Sequence, residues 1–502
     1  MKKIWTYILT KAKQRFLARG MGFDAGEMSF RLFKGLKIKE VTVSAYRGQV
    51  SLRMENVGLR FNLVRLLFQK LPDRLDVPFA ELTIRWSDQE WRMPIKNITA
   101  RTSRSGKSIN LAAGSPSIEL FHAQLLPIPL RLSIPALDLT WRQTDDGLIM
   151  EQTLQGSFPA LNFTIHSQFQ TGPYALFTCS LETADFIPDD IAGSFPVFTG
   201  SDAHPWRSSG SDAHPWRSSG SLRFAARFTV DPANPRRHSF QANLLRKDFS
   251  FAGQGPLDLG YLKDPFLHVI RGHGLPRQAP GGQEEQSPPR TEILLGKDDP
   301  QFASLDTISD MLIKVIISRE DPRFYTHHGF DEQLFGYALV TDLREKKAAR
   351  GGSTITMQLA RNLFLHHGKT LGRKLEEVIL AWLIEDIYRI PKDRILEIYL
   401  NIIEFAPDIY GIRPACLFYF DTTPDRITLT QSLVLSYIIP RPRHFAEALK
   451  GRSPVLPARL GQHVHRAGRA LRRKGLIGEE EYKGIGAGIR FAGALGEIQF
   501  VR

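Results

Sequence analysis

Three stretches of the chain carry side chains whose types and spacing could do chemistry. The first is Ser318-Arg-Glu-Asp-Pro-Arg-Phe-Tyr-Thr-His-His-Gly-Phe-Asp331, where Glu320 and Asp321 stand side by side before Pro322. A carboxylate delivered to the end of a buried helix loses water, its pKa rises, and it can serve as a general base near neutral pH. Taken alone, the same step also reads as an ordinary helix-end turn. The second is Arg350-Gly-Gly-Ser-Thr-Ile-Thr-Met-Gln-Leu-Ala-Arg-Asn-Leu363. Two glycines with Ser353 and Thr354 open a helix whose unpaired N–H groups and dipole suit an anion or a sugar hydroxyl. Gln358 and Arg361 are three apart and share a face of it, with Asn362 beside them. The lysine-hydroxyl ending of a nucleotide loop is absent. In the third, Gly372 to Glu385, Arg373 and Glu377 are four apart on one helix face. A surface ion pair is the plainer reading of that pair by itself.

These residues need helices to hold them, and the texture beyond Ser304 supplies that periodicity. Helices are expected over about 306–319, 331–347, 354–365, 371–388, 392–403, 428–438, 456–474 and 478–485. Upstream the chain reads differently. Leu36 to Ser44, Val50 to Met54, Ala80 to Trp86, Leu130 to Ile134 and Phe224 to Val230 alternate apolar and polar residues, as half-buried strands do. Short turns between them imply antiparallel meanders and a curved sheet or groove. Between the two textures lies a Gly-, Pro-, Gln- and Glu-rich stretch, Arg271 to Lys297, which reads as a linker. The fold class expected is therefore α+β and multidomain. Its parts are a basic helix at 1–22, a β-rich domain at 23–265, a linker at 266–302 and a mainly helical domain at 303–502.

Taken together, the three stretches resemble the signature blocks of the peptidoglycan glycosyltransferases, the family 51 transglycosylases. The residues that carry the likeness are Glu320, Asp321, Phe324, His327 and Gly329, then Gly351, Ser353, Thr354, Thr356, Gln358, Arg361 and Asn362, then Arg373, Lys374, Glu377, Ala381 and Glu385. Lys392-x-x-Ile-Leu-Glu-x-Tyr-Leu-Asn401 and Gly411-x-x-x-Ala-Cys-x-x-Tyr-Phe420 resemble the fourth and fifth blocks, in the same order. Met357, Arg361, Cys416 and Asp421-Thr422 depart from the usual family residues, and none of these changes removes a carboxylate. The resemblance implies a lysozyme-like helical fold of the monofunctional type, since no Ser-x-x-Lys of a transpeptidase follows Phe445. More weakly, residues 30–87 resemble AsmA-like envelope domains.

The resemblance implies lipid II and a growing glycan strand as substrates, handled at the periplasmic face of the cytoplasmic membrane. Cell-wall synthesis proteins are the partners it suggests. Glu320 would be the base and Glu377 a second catalytic carboxylate, orienting the donor or a divalent metal such as Mg or Mn; no organic cofactor is implied. Asp321, Phe324, His327, Ser353, Thr354, Gln358, Arg361, Asn362, Arg373 and Lys374 would bind substrate. Two other functions stay open: a lysozyme-like glycan hydrolase, which also works through a glutamate, and a non-catalytic lipid-handling scaffold.

Composition agrees with a surface-bound enzyme of anionic lipid. The chain has 502 residues with 42% hydrophobic and 24% charged, which excludes wholesale disorder, and its net charge of +14 calls for an anionic partner. Nucleic acid is a poor candidate because no reading motif accompanies the charge. Two cysteines, Cys179 and Cys416, exclude a disulfide framework. No segment reaches the roughly 18–20 apolar residues of a membrane span. Instead Ile4, Trp5, Ile8, Leu9, Ala12 and Phe16 share one helical face among lysines and arginines, a pattern that suits an anionic membrane interface. The tandem copies at 201–210 and 211–220 read as an exposed loop without a catalytic role.

Overall fold

A computed structural model describes residues 22–31, 35–45, 50–60, 74–86, 89–105, 108–114, 117–122, 126–144, 147–158, 161–171, 175–188, 216–231, 237–253, 258–271, 290–345, 352–365, 371–492 and 495–500, with a few isolated positions besides. The amphipathic segment at 1–22 lies essentially outside the described residues, as does most of the duplicated stretch. The described chain forms two units. One comprises Met1–Ala252 with Glu332–Gly352 and Gly368–Leu375; the other comprises Gly253–Asp331, Ser353–His367 and Glu376–Arg502.

The first unit is built on a fourteen-stranded antiparallel sheet, running from Gly22–Ala25 to His238–Gly253 and paired largely in chain order. Alternation does what the sequence pattern requires. Leu36, Ile38, Val41, Val57, Val77 and Ala80 are buried together, with Phe23, Leu52, Met54 and Ile95 packed against them. The alternation slips by one residue inside each of four neighbouring strands. Lys39, Asn56, Pro78 and Asn97 fall at one level across the sheet, by the registers that flank them. Asn56 and Asn97 adopt left-handed backbone (φ 52° and 60°), a conformation asparagine tolerates, and Pro78 between them has no N–H to give. The apolar positions change from even to odd, or odd to even, across this row and so stay on one face. Contrary to the loop expected for the second repeat copy, Trp216 to Gly220 already belong to the strand Trp216–Val230, where Ser219 Oγ meets Ser250 Oγ at 2.7 Å.

A helix at Glu332–Glu345 packs on the last strand of this sheet. Ala242 N–H donates to Glu332 Oε1 at 2.9 Å, and the Phe240 and Phe335 rings lie 4.9 Å apart.

The second unit is mainly helical. Part of the stretch read as linker is ordered: Phe266–Arg271 pairs antiparallel with Arg290–Leu295. We label the helices that carry the site α1 (Asp310–Glu320), α2 (Ile355–Phe364), α3 (Leu371–Trp382) and α4 (Lys392–Ile402). Two helices were not expected from the sequence, Ile412–Phe420 and Pro442–Lys450. Ile395, Leu396, Ile398, Tyr399 and Leu400 of α4 are all buried, while Asp393 is exposed and Arg394 and Glu397 are half-buried. Asn401 fixes one end of it, giving Nδ2 to Ala303 O and taking Ala303 N–H on Oδ1, both at 2.8 Å. Arg394 fixes the other, donating to the carbonyls of Leu262, Asp264 and Leu295 and to Glu397.

Candidate active site

The candidate base, Glu320, is placed by the way α1 stops. Leu312, Val315 and Ile316 bury one face of α1, and Glu320 is its last residue. Asp321 leaves the helical region (φ −155°), and Pro322 after it disfavours a further turn. Glu320 is half-buried. Desolvation pushes its carboxyl above the ordinary value, while the Gln358 amide and the charges of Arg319 and Arg361 hold it back. Gln358 Nε2 donates to Glu320 Oε2 at 3.0 Å, and Tyr399 Oη donates to Gln358 Oε1 at 3.0 Å.

Asp321 looks the other way. Its side chain is 0% exposed, and Oδ2 accepts from His327 Nε2 at 2.8 Å and from the Ile355 N–H at 2.9 Å. The turn after α1 is thereby tied to the first turn of α2. Thr354 caps α2, accepting from Met357 N–H at 3.1 Å and donating to Gly329 O at 2.6 Å. Gly329 is at φ +79°, and a Cβ there would stand 2.7 Å from Ala381 O, so glycine alone fits this crossing. A second buried set backs the first: Thr356 bonds to Glu385, Lys392 Nζ lies 2.7 Å from Glu385 Oε2, and the same ammonium sits 4.5 Å above the Phe324 ring. The end of α3 widens into i→i+5 bonding over Leu383–Ile387, which turns Glu385 into the unit's interior.

Asp321, Phe324, His327 and Thr354, expected to touch substrate, are all buried, and Asp321, His327 and Thr354 make hydrogen bonds that hold the turn and the start of α2. Gln358 is engaged by Glu320 and Tyr399 rather than standing open. Ser353, Arg361 and Asn362 are half-buried. Arg373 and Lys374 are half-buried in the first turn of α3, within the stretch that groups with the sheet unit, while Glu377 is 1% exposed and belongs to the helical unit. Tyr399 stands in the fourth of the sequence blocks, which gave it no role at the site. Its apolar neighbourhood marked it as core, and no local pattern reveals a phenol that reaches a glutamine 41 residues away. No three His, Cys, Asp or Glu side chains converge on a metal-sized point among the described residues. They do not supply a protein-only metal cradle, and no step below runs through a metal.

A desolvated, partly open carboxylate with a fixed amide on one oxygen and a guanidinium nearby is suited to general acid–base chemistry. Comparison with known proteins agrees. Residues 290–460 match the transglycosylase family model. The biosynthetic peptidoglycan transglycosylase of Chromobacterium violaceum is 40% identical over 159 residues, covering 30% of this chain and 69% of that protein. The protein of the same name from Paraburkholderia phytofirmans is 38% identical over 165 residues, covering 32% of this chain and 68% of the relative. That from Acinetobacter baylyi is 37% identical over 147 residues, covering 29% and 65%. The chain thus spans about two thirds of the length of these relatives, and it belongs to the peptidoglycan transglycosylase family.

Proposed function

We propose that the protein polymerises lipid II into β-1,4-linked glycan strands with release of undecaprenyl diphosphate. The observation that carries this reading is Glu320: a carboxylate raised by burial, held on Oε2 by Gln358, with Arg361 near enough to bias its charge. Glu320 takes the proton of the acceptor GlcNAc 4-hydroxyl. That oxygen bonds to C1 of the donor MurNAc from the face opposite the leaving group, and the C1–oxygen bond to the diphosphate breaks with its electron pair. The anomeric centre inverts. Negative charge grows on the departing diphosphate, and Arg361 is the cation beside Glu320 available to meet it; the family resemblance gives Arg373 and Lys374 the same task. The helical unit then has a lysozyme-like fold, and the protein works at the periplasmic face of the cytoplasmic membrane beside other cell-wall synthesis proteins.

Among the described residues no helix is long and apolar enough to cross a membrane. The basic segment before Arg19 is the candidate contact with anionic lipid.

Purified full-length protein incubated with lipid II provides the test. Chain growth supports the reading, and shortening of preformed glycan without growth selects the hydrolase instead. The Glu320→Gln variant is expected to lose about 10²–10⁴-fold in rate, the usual contribution of a general base. Polymerisation at the wild-type rate by that variant overturns the assignment of the base.

A further inference from the structure

Tyr399 is the far member of a hydrogen-bonded line that ends on Glu320. Its hydroxyl donates to Gln358 Oε1, and Gln358 Nε2 donates to Glu320 Oε2, each at 3.0 Å. The ring projects from α4 and is 0% exposed, so no substrate touches it. We propose that Tyr399 is a positioning residue for the general base: its hydroxyl decides which way the Gln358 amide faces, so that an N–H and not the carbonyl is turned to Glu320. The inference rests on the function proposed above, since it takes Glu320 as the base.

A glutamine amide has a donor end and an acceptor end of nearly the same shape, and only its partners choose between the two orientations. An ionised Glu320 asks for a donor. A phenol that keeps its proton asks for an acceptor. Burial drives the Tyr399 phenol well above its ordinary value, and the neighbouring negative charges of Glu320 and Asp321 push the same way, so it stays a neutral donor. Both demands are met by one amide orientation. Turning the amide over sets its oxygen against the carboxylate and its NH2 against the phenol proton. Without the phenol, half of the selection is gone.

The consequence falls on the base itself. The Gln358 bond opposes the desolvation that raises Glu320. A fixed amide therefore keeps the carboxylate ionised at a lower pH than burial alone would allow. It also saturates Oε2. Oε1 takes no hydrogen bond among the described residues, and it is the oxygen left for the acceptor's proton.

Rates of lipid II polymerisation by the full chain, followed against pH, test this in wild type, Tyr399→Phe, Gln358→Leu and the double variant. Tyr399→Phe is expected to lose about tenfold near neutral pH, to move the acid limb of kcat/KM to higher pH, and to recover toward wild type at alkaline pH. In the Gln358→Leu background it is expected to add little, because the line is already cut. A uniform loss with an unmoved acid limb, or losses that multiply in the double variant, would overturn the positioning role. Should Tyr399→Phe fail to fold, 3-fluorotyrosine at position 399 keeps the packing and strengthens the donor. The acid limb then moves to lower pH, and an unmoved limb overturns the inference. Failure of the underlying function is a separate result: no polymerisation by wild type, or full polymerisation by Glu320→Gln.

Discussion

Glu320, the proposed base, is held where burial disfavours its charged form. Its folded pKa lies above the unfolded value because of burial. Such a group favours folding at pH below the unfolded pKa. The advantage disappears as pH rises through the folded value, because the unfolded chain then ionises the carboxylate more easily. Two outcomes follow at this residue. The rate of the wild-type enzyme falls as pH drops through the raised pKa of Glu320. The Glu320→Gln variant, which has no charge to desolvate, melts at a higher temperature than wild type at neutral pH, and the difference shrinks in acid. Calorimetry at two pH values checks this; a variant less stable than wild type at neutral pH contradicts it.

The elements around the base depend on two contacts that cross between them. Gly329 passes so close to the end of α3 that any side chain meets Ala381 O, and its φ of +79° strains any other residue. Gly329→Ala is expected to cost about 2–4 kcal/mol in stability by chemical denaturation, with activity lost in proportion to the misplaced turn. Asp321 accepts two hydrogen bonds in the dry interior. Asp321→Ala leaves the His327 ring and the Ile355 N–H without that acceptor, at a cost of about 2–4 kcal/mol. A loss of activity in Asp321→Ala with unchanged stability would instead indicate direct contact with substrate. The sheet shows the same dependence on element geometry. The slip in alternation at Lys39–Glu40 is visible in Leu36, Ile38, Val41 and Val43, yet only the paired registers reveal that Asn56, Pro78 and Asn97 share its level.

At the scale of the molecule, a segment that lies between two catalytic motifs in sequence folds with the sheet unit. The helix Glu332–Glu345 is seated on the strand His238–Gly253 through Phe240, Phe335 and the Glu332 carboxylate. Gly336 makes the approach possible, since a Cβ there would lie 2.9 Å from Phe240 Cβ. Phe240→Ala removes the aromatic contact and is expected to raise amide hydrogen exchange through 332–345 by about tenfold, leaving exchange in α4 unchanged. Equal exchange in wild type and Phe240→Ala would mean that the strand does not hold the helix.

The sequence by itself determined whatever is local. Apolar alternation marked some of the strands, among them Gly35–Ala45, Val50–Arg60 and Arg74–Trp86, and helical periodicity marked α1 to α4. Pro322 placed Glu320 at a helix end, and Thr354 marked the start of α2. Five ordered blocks sufficed to place the chain in its family. It could not announce the helices Ile412–Phe420 and Pro442–Lys450, whose proline and aromatic content is ambiguous in a short window. Nor could it assign partners. Asp321 reaches a backbone N–H 34 residues on, Gln358 reaches Glu320 across 38, and Tyr399 reaches Gln358 across 41. A buried polar group must find a partner, but its own residue type does not say which. Packing makes that choice, and so only the tertiary structure separated the half-buried Glu320, the proposed base, from the buried Asp321 beside it that holds the turn.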